Sequence, residues 1–162
     1  PLVELVGGPA TAPATLDRAK AFFEGLGKVP VVLHREVAGH LANRLAAAVW
    51  REAIDLVASG TATVEDVDKA LSAGPGLRWA FMGPHLTYHL GGGTGGYAHF
   101  IDHIGHTFEA CWRDMAAWTT IPAPAKAAIV AGVEAEVAGR SPQELAAWRD
   151  RRLAAVLKAL QD

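Results

Sequence analysis

The feature that most constrains the fold is a change of pattern at His34. Before it, two short apolar runs, at residues 2–6 and 28–33, flank one helical pattern that begins near Pro13. After it, the regular segments all have helical spacing. Strand, helix and strand over about thirty residues is typical of a βαβ unit in a parallel sheet. The sequence therefore predicts a mainly α chain in which one βαβ piece precedes a helical domain.

The strand–helix–strand part is too short to bury a core of its own. We therefore predict that residues 1–33 are the end of a larger α/β domain and that residues 34–162 form an all-helical domain. Pro1 stands directly before the first apolar run, without the lead-in that a buried strand usually has. We interpret this start as a sign that the chain is a piece of a longer protein.

The helical pattern that follows the strand–helix–strand part predicts a helix over residues 41–58. Apolar residues occupy two of its faces, so we expect most of its circumference to be buried at the centre of a bundle. The strongest local signal is the capping box formed by Ser141 and Glu144 around Pro142. Other helices are predicted over residues 64–71, 84–90, 97–117, 123–137 and 142–160.

Composition excludes several classes of function. The 15 basic and 17 acidic residues give a net charge of -2, so the chain lacks the basic surface that binding to nucleic acid requires. No uncharged apolar run reaches the roughly 18 residues of a membrane span, so we expect no membrane partner. Cys111 is the single cysteine, which excludes an internal disulfide and a cysteine-based zinc site and favours a cytoplasmic location.

Glu4 is the first candidate functional residue. On a strand it shares a face with Leu2 and Val6, so its carboxylate must be solvated, paired or functional. The pattern leaves two interpretations open. In one, Glu4 lies on an edge strand and points to water; in the other, it takes part in chemistry.

Asn43 is the second candidate, in the first turn of the predicted 41–58 helix. Its helical neighbours Ala47, Trp50 and Ile54 are apolar, and an amide on a packing face needs partners. It either satisfies backbone groups in the first turn or serves a binding site.

Histidine, glycine and aromatic residues supply weaker signals. His85 and His89, like His99, His103 and His106, have spacings that metal ligands on a helix face require, but the glutamate of a zinc-protease motif is missing. We therefore predict no metal site. The glycine run at 91–96 does not follow a strand, so we predict a connection between helices with no cofactor-binding residues. The aromatic residues from Trp79 onward fit a core, or alternatively a box for a quaternary ammonium group.

Four segments together resemble a known family. The most specific features are Gly39, four positions before Asn43-Arg44, and the Met82-Gly83-Pro84 turn. The similarity covers nearly the whole chain. The chain resembles the carboxy-terminal part of the 3-hydroxyacyl-CoA dehydrogenase superfamily, most of all its carnitine dehydrogenase and lambda-crystallin branch. The segments are PLVELV (1–6), EVAGHLANR (36–44), VEDVD (64–68) and GPGLRWAFMGP (74–84).

This resemblance implies that the protein has two domains with different roles. Residues 1–33 would end a Rossmann-type domain whose missing part binds NAD and carries the catalytic histidine, and residues 34–162 would form the helical substrate and homodimerisation domain. Glu4 matches the carboxylate that pairs with that histidine, and Asn43 matches the asparagine near the substrate oxygen. Three further residues are expected near the substrate, namely Gly39, His40 and Trp79.

The implied activity is oxidation of the 3-hydroxyl of a 3-hydroxyacyl-CoA or of a small 3-hydroxy acid such as carnitine, with this fragment inactive alone. The alternative is a non-catalytic helical dimerisation or structural module. Two positions depart from the family: Ala38 stands where proline is usual, and His40 where an aromatic residue is usual. Both lie next to the Asn43 turn and so bear on substrate choice.

Overall fold

A computed structural model describes residues 1–160 of the chain. These residues fall into two compact units, Pro1–Arg51 and a second one that begins at Glu52. The last two residues of the predicted helical domain, 161 and 162, lie outside the described residues. Because the units divide inside a helix, the predicted domain boundary after residue 33 stays a prediction.

The first unit contains the βαβ piece that the sequence predicts. Strand β1 (Leu2–Val6) is followed by helix α1 (Pro13–Gly25) and strand β2 (Val29–Leu33). The strands pair in parallel, and α1 packs on both. Pro13 occupies the first turn of α1, where its missing N–H costs nothing. The fold is therefore mainly α with one small parallel sheet, as predicted.

Helix α2 (Ala42–Ala58) begins in the first unit and ends in the second. Ile54 is its one buried residue, with 2% of its surface exposed. Leu45 and Trp50 stay 63% and 59% exposed. The prediction that most of this helix is buried is therefore wrong for the described chain, because each of its two apolar faces keeps large side chains exposed.

The second unit is helical throughout its regular segments. Tyr88 and Phe100 stack with ring centroids 4.9 Å apart, and Phe108 meets Tyr88 edge-on, which holds two of the helices together. The glycine run folds into a short 3-10 turn, Gly93–Gly95, between these helices. No helix within residues 1–160 has both the length and the hydrophobicity that a membrane crossing requires. The helices are α3 (Val64–Ala73), α4 (Pro75–Trp79), α5 (Pro84–Gly91), α6 (Gly96–Asp114), α7 (Ala123–Val137) and α8 (Pro142–Ala159).

The predicted capping box starts α8. Ser141 Oγ accepts a hydrogen bond from the Glu144 N–H at 3.2 Å, and Glu144 Oε2 accepts one from the Ser141 N–H at 2.7 Å. The bond from the Ser141 N–H lowers the pKa of the Glu144 carboxyl below its usual value. Local sequence thus determines where this helix begins.

Two acidic side chains of α2 hold the segment that follows α6. Glu52 Oε2 accepts a hydrogen bond from the Ala116 N–H at 3.0 Å, and Asp55 Oδ1 accepts one from the Trp118 indole N–H at 3.0 Å. Both acids are half-buried, so losing a donor leaves a costly unpaired acceptor. These contacts join residues more than sixty positions apart.

We expect Trp118→Phe to destabilise the chain by about 1–3 kcal/mol, because it removes the donor to Asp55 while keeping an aromatic ring. Trp112→Phe is the matched control, since Trp112 is 65% exposed, and it should cost less than about 0.5 kcal/mol. Urea unfolding of the two variants measures the difference. Equal stabilities would contradict the role given to the indole bond.

Candidate active site

Glu4 bridges the sheet and the start of α2. It is half-buried in β1, and its Oε1 accepts hydrogen bonds from the N–H groups of Leu41 at 2.6 Å and Ala42 at 3.2 Å. The first N–H groups of a helix have no partner inside the helix, so an external acceptor satisfies them. This geometry excludes the interpretation in which Glu4 points only to water.

A tight turn presents these N–H groups to Glu4. The His40 N–H donates to the Val37 carbonyl at 3.0 Å, and Gly39 and His40 both have positive φ angles, 77° and 49°. Glycine adopts that conformation freely, whereas for histidine it is uncommon and carries a small strain. Two left-handed residues in succession reverse the chain direction and aim the start of α2 back at β1.

The arrangement fixes one oxygen of the carboxylate. Both N–H groups bind Oε1, so the position of this oxygen is held by two contacts. Within residues 1–160, Oε2 makes no hydrogen bond. A carboxylate held in this way has one oxygen for structure and one for a second partner, such as an imidazole N–H.

Asn43 follows directly after the two residues that bind Glu4. It lies in the first turn of α2, and its side chain is exposed. Ala47 and Trp50 on the same face are exposed as well, so this face packs only farther along the helix, at Ile54. An exposed amide in the first turn of a helix is free to face a ligand.

The other predicted substrate residues are divided between the units. Gly39 and His40 form the turn that precedes α2 in the first unit. Trp79 ends α4 in the second unit and is 38% exposed. Its place near the substrate stays a prediction.

The histidines of α5 and α6 make local hydrogen bonds. His85 Nδ1 lies 3.0 Å from the Tyr97 hydroxyl, and His89 Nδ1 accepts the Tyr97 N–H at 3.2 Å. His103 Nδ1 donates to the His99 carbonyl at 3.0 Å. In the described part of the chain, no three histidine, cysteine or acidic side chains group as a metal site would require.

The βαβ unit offers no cradle for a dinucleotide pyrophosphate. Such sites need a glycine-rich turn open to the phosphates and free N–H groups at a helix start. Here a Cβ on Gly7 would lie 3.2 Å from Leu16 Cδ1 and 3.3 Å from Thr11 Cβ, so α1 and its leading loop fill that space. Pro13 also removes one N–H from the start of α1. These residues do not fit a bound dinucleotide phosphate.

Two family models match the chain. The model described as the 3-hydroxyacyl-CoA dehydrogenase C-terminal domain matches residues 39–131, which is more than half of the chain. The model described as the NAD binding domain of the same family matches residues 1–37. The two matches meet at the turn before α2.

The chain is similar along its full length to L-carnitine dehydrogenases. It is 48% identical over 162 residues to the one from Nocardiopsis dassonvillei, covering 100% of this chain and 49% of that protein. The Oceanobacillus iheyensis protein is 40% identical, with 100% and 52% covered. The chain therefore spans about half the length of the curated relatives it matches.

A solved structure has the same fold. It is a 5-formyl-3-hydroxy-2-methylpyridine 4-carboxylic acid 5-dehydrogenase, described as an NAD+ dependent dismutase, with a TM-score of 0.79 and 25% identity. The similarity covers 99% of this chain and 52% of that one.

We expect Glu4→Ala to expose the Leu41 and Ala42 amides, because it removes their acceptor, and to cost about 1–3 kcal/mol. Glu4→Gln keeps a carbonyl oxygen at the same place and should cost less. Amide hydrogen exchange at these two residues is the measurement. Equal protection in the alanine variant and the unchanged chain would show that the contact does not hold the start of α2.

Proposed function

The chain belongs to the 3-hydroxyacyl-CoA dehydrogenase family, and on that premise we propose that the whole protein is an NAD-dependent dehydrogenase. Its substrate is a small molecule whose 3-hydroxyl is oxidised, either a small 3-hydroxy acid of the carnitine kind or a 3-hydroxyacyl-CoA. The carnitine dehydrogenase relatives support the first of these. We propose that NAD, the hydride acceptor of such a reaction, is bound by the amino-terminal domain of which residues 1–37 match the end.

The observation that carries this proposal is the pair of hydrogen bonds on Glu4 Oε1. A carboxylate fixed at one oxygen can accept the N–H of an imidazole at the other. It then sets the imidazole tautomer and stabilises the imidazolium that forms when the substrate hydroxyl loses its proton. The histidine that takes this proton is expected outside the chain, as in the family pattern, and Glu4 is its partner.

Asn43 supplies the second role. Its amide N–H₂ donates to the substrate oxygen as that oxygen becomes a carbonyl. The positive end of the α2 dipole lies behind it and acts in the same direction. Gly39 and His40 shape the turn between the two residues, and we place them, with Trp79, next to the substrate.

We also propose that the helical domain forms a homodimer. The chain exposes 12,006 Å² of surface. Two separate globular units of 51 and 111 residues would together expose only about 9,200 Å². Large apolar side chains such as Leu45 and Trp50 contribute to the surplus. A second copy and the remaining part of the protein cover such surfaces in a stable assembly.

The proposed location is the cytoplasm. Cys111 is an exposed free thiol, which suits a reducing compartment. The charge balance of 15 basic and 17 acidic residues supports a small-molecule partner over a nucleic acid.

In the full-length protein, Glu4→Gln should lower kcat by about 100- to 10,000-fold, because it removes the charge that stabilises the imidazolium. Asn43→Ala should lower kcat by about 100- to 1,000-fold through loss of a donor to the reacting oxygen. Steady-state rates of nicotinamide reduction measure both. Affinity for NAD should change little in either variant.

His103→Ala and His106→Ala are the controls, since both side chains are exposed on α6. They should retain activity. Normal turnover in Glu4→Gln would contradict the dehydrogenase role of Glu4 and favour the alternative, a non-catalytic dimerisation module.

Sedimentation of the full-length protein at tens of micromolar should show a dimer, because the exposed apolar faces need a partner. Replacing Leu45 and Trp50 by glutamine should weaken a dimer that buries either apolar face of α2, because the two residues lie on different faces of the helix. A folded monomer at these concentrations would contradict the proposal.

A further inference from the structure

Helix α8 carries an apolar face that stays exposed in the described chain. Leu153, Val156, Leu157 and Leu160 have the i, i+3, i+4 and i+7 spacing of one helix face. Each of them keeps between 40% and 51% of its surface exposed. Residues 147–160 are all exposed, and no other helix of the described chain packs closely along α8. Helices in proteins gain most of their stability from packing such a face, so this face requires a partner surface.

A groove of about 610 Å³ lies beside α8 in the second unit. Its apolar lining includes Leu71 of α3, Leu77 after the first turn of α4 and Val156 of α8. Leu77 is 62% exposed, so the groove has apolar surface of its own to bury. Leu153 and Leu157 do not line the groove. Within one copy, the groove therefore leaves these two residues uncovered.

The groove and α8 carry opposite charges. Asp68 and Glu136 line the groove, and neither takes part in an ion pair among residues 1–160. Lys69, the cation of the lining, already pairs with a glutamate of its own helix at 2.6 Å. On α8, the Arg152 guanidinium lies 5.3 Å from the ring centroid of Trp148, which itself lines the groove. The exposed face of α8 thus presents a cation that fits an acidic groove.

We propose that α8 of one copy packs into the groove of a second copy, and reciprocally, so that α8 and the groove form the interface of the homodimer. The inference rests on the proposed function, which includes that dimer, and assigns its contact surface. A two-fold dimer repeats one contact twice, so each copy supplies one helix and one groove. Leu153 and Leu157 are then buried in the groove of the second copy, and Arg152 meets its acidic lining.

Two observations favour a second copy over any other occupant. Both complementary surfaces, the apolar and basic face of α8 and the apolar and acidic groove, belong to the same unit of this chain. The surplus of exposed surface described above also exceeds the roughly 800 Å² per partner that a stable dimer buries. Two copies therefore satisfy each other without a further component.

The test uses two charge reversals in the full-length protein, Asp68→Lys in the groove and Arg152→Glu on α8. Each should raise the dimer Kd at least about 100-fold, because like charges then face each other in both symmetric contacts. An equimolar mixture of the two variants should return the Kd to within about tenfold of the unchanged protein. In the mixed dimer one contact is unchanged and the other has both charges exchanged, so both contacts are attractive. Analytical ultracentrifugation measures all three samples.

Asp17→Lys and Arg18→Glu are the matched controls, because both side chains are exposed charges on α1 in the first unit. Neither should change the dimer Kd. An unchanged Kd in Asp68→Lys or in Arg152→Glu would overturn the assignment. A mixture that stays monomeric would overturn it as well, because α8 then acts on the groove of its own chain. Monomeric unchanged protein is a different result, which removes the proposed homodimer and this assignment with it.

A further variant covers a charge reversal that does not fold. Leu153→Gln combined with Leu157→Gln removes apolar surface that is exposed in a single copy, so each copy should keep its fold. The dimer Kd should rise about 10- to 100-fold, because both side chains lie in the proposed contact. Trp112→Gln is the control for the loss of an exposed apolar side chain in the same unit, and it should leave the Kd unchanged. Equal Kd values for the double leucine variant and the unchanged protein would overturn the assignment.

Discussion

The pair of hydrogen bonds from Leu41 and Ala42 to Glu4 Oε1 is the contact on which the first unit depends. A helix that starts beside a sheet leaves N–H groups that need an acceptor, and here a strand residue supplies it. The same contact fixes the carboxylate that the proposed reaction uses. Glu4 therefore has both a structural role and a role in the proposed reaction. One of its oxygens binds the start of α2, and the other is left for a second partner.

The turn before α2 makes this contact possible. The left-handed pair Gly39 and His40 reverses the chain, so that the Leu41 N–H reaches Glu4. Toward its other end, α2 uses Glu52 and Asp55 to hold the segment after α6. One helix thus starts at the candidate site and ends in the packing of the second unit.

Sequence patterns predict the features that depend on residues close together in the chain. The two strands, the range of α7 and the capping box of α8 follow from alternation, helical spacing and cap residues. The partner of Glu4 lies 37 residues away, and no local pattern encodes that distance. For α2, the hydrophobic pattern predicts that apolar side chains must be buried. It does not show which chain buries them.

The most direct test of the account is the pH dependence of kcat/KM for Glu4→Gln in the full-length protein. A carboxylate beside an imidazole favours the imidazolium and so raises the pKa of the histidine that takes the substrate proton. Removing that charge should move the acid limb of the profile to lower pH by about one unit, together with a lower plateau. An acid limb at the same pH, with a plateau near that of the unchanged protein, would contradict the pairing of Glu4 with a catalytic histidine.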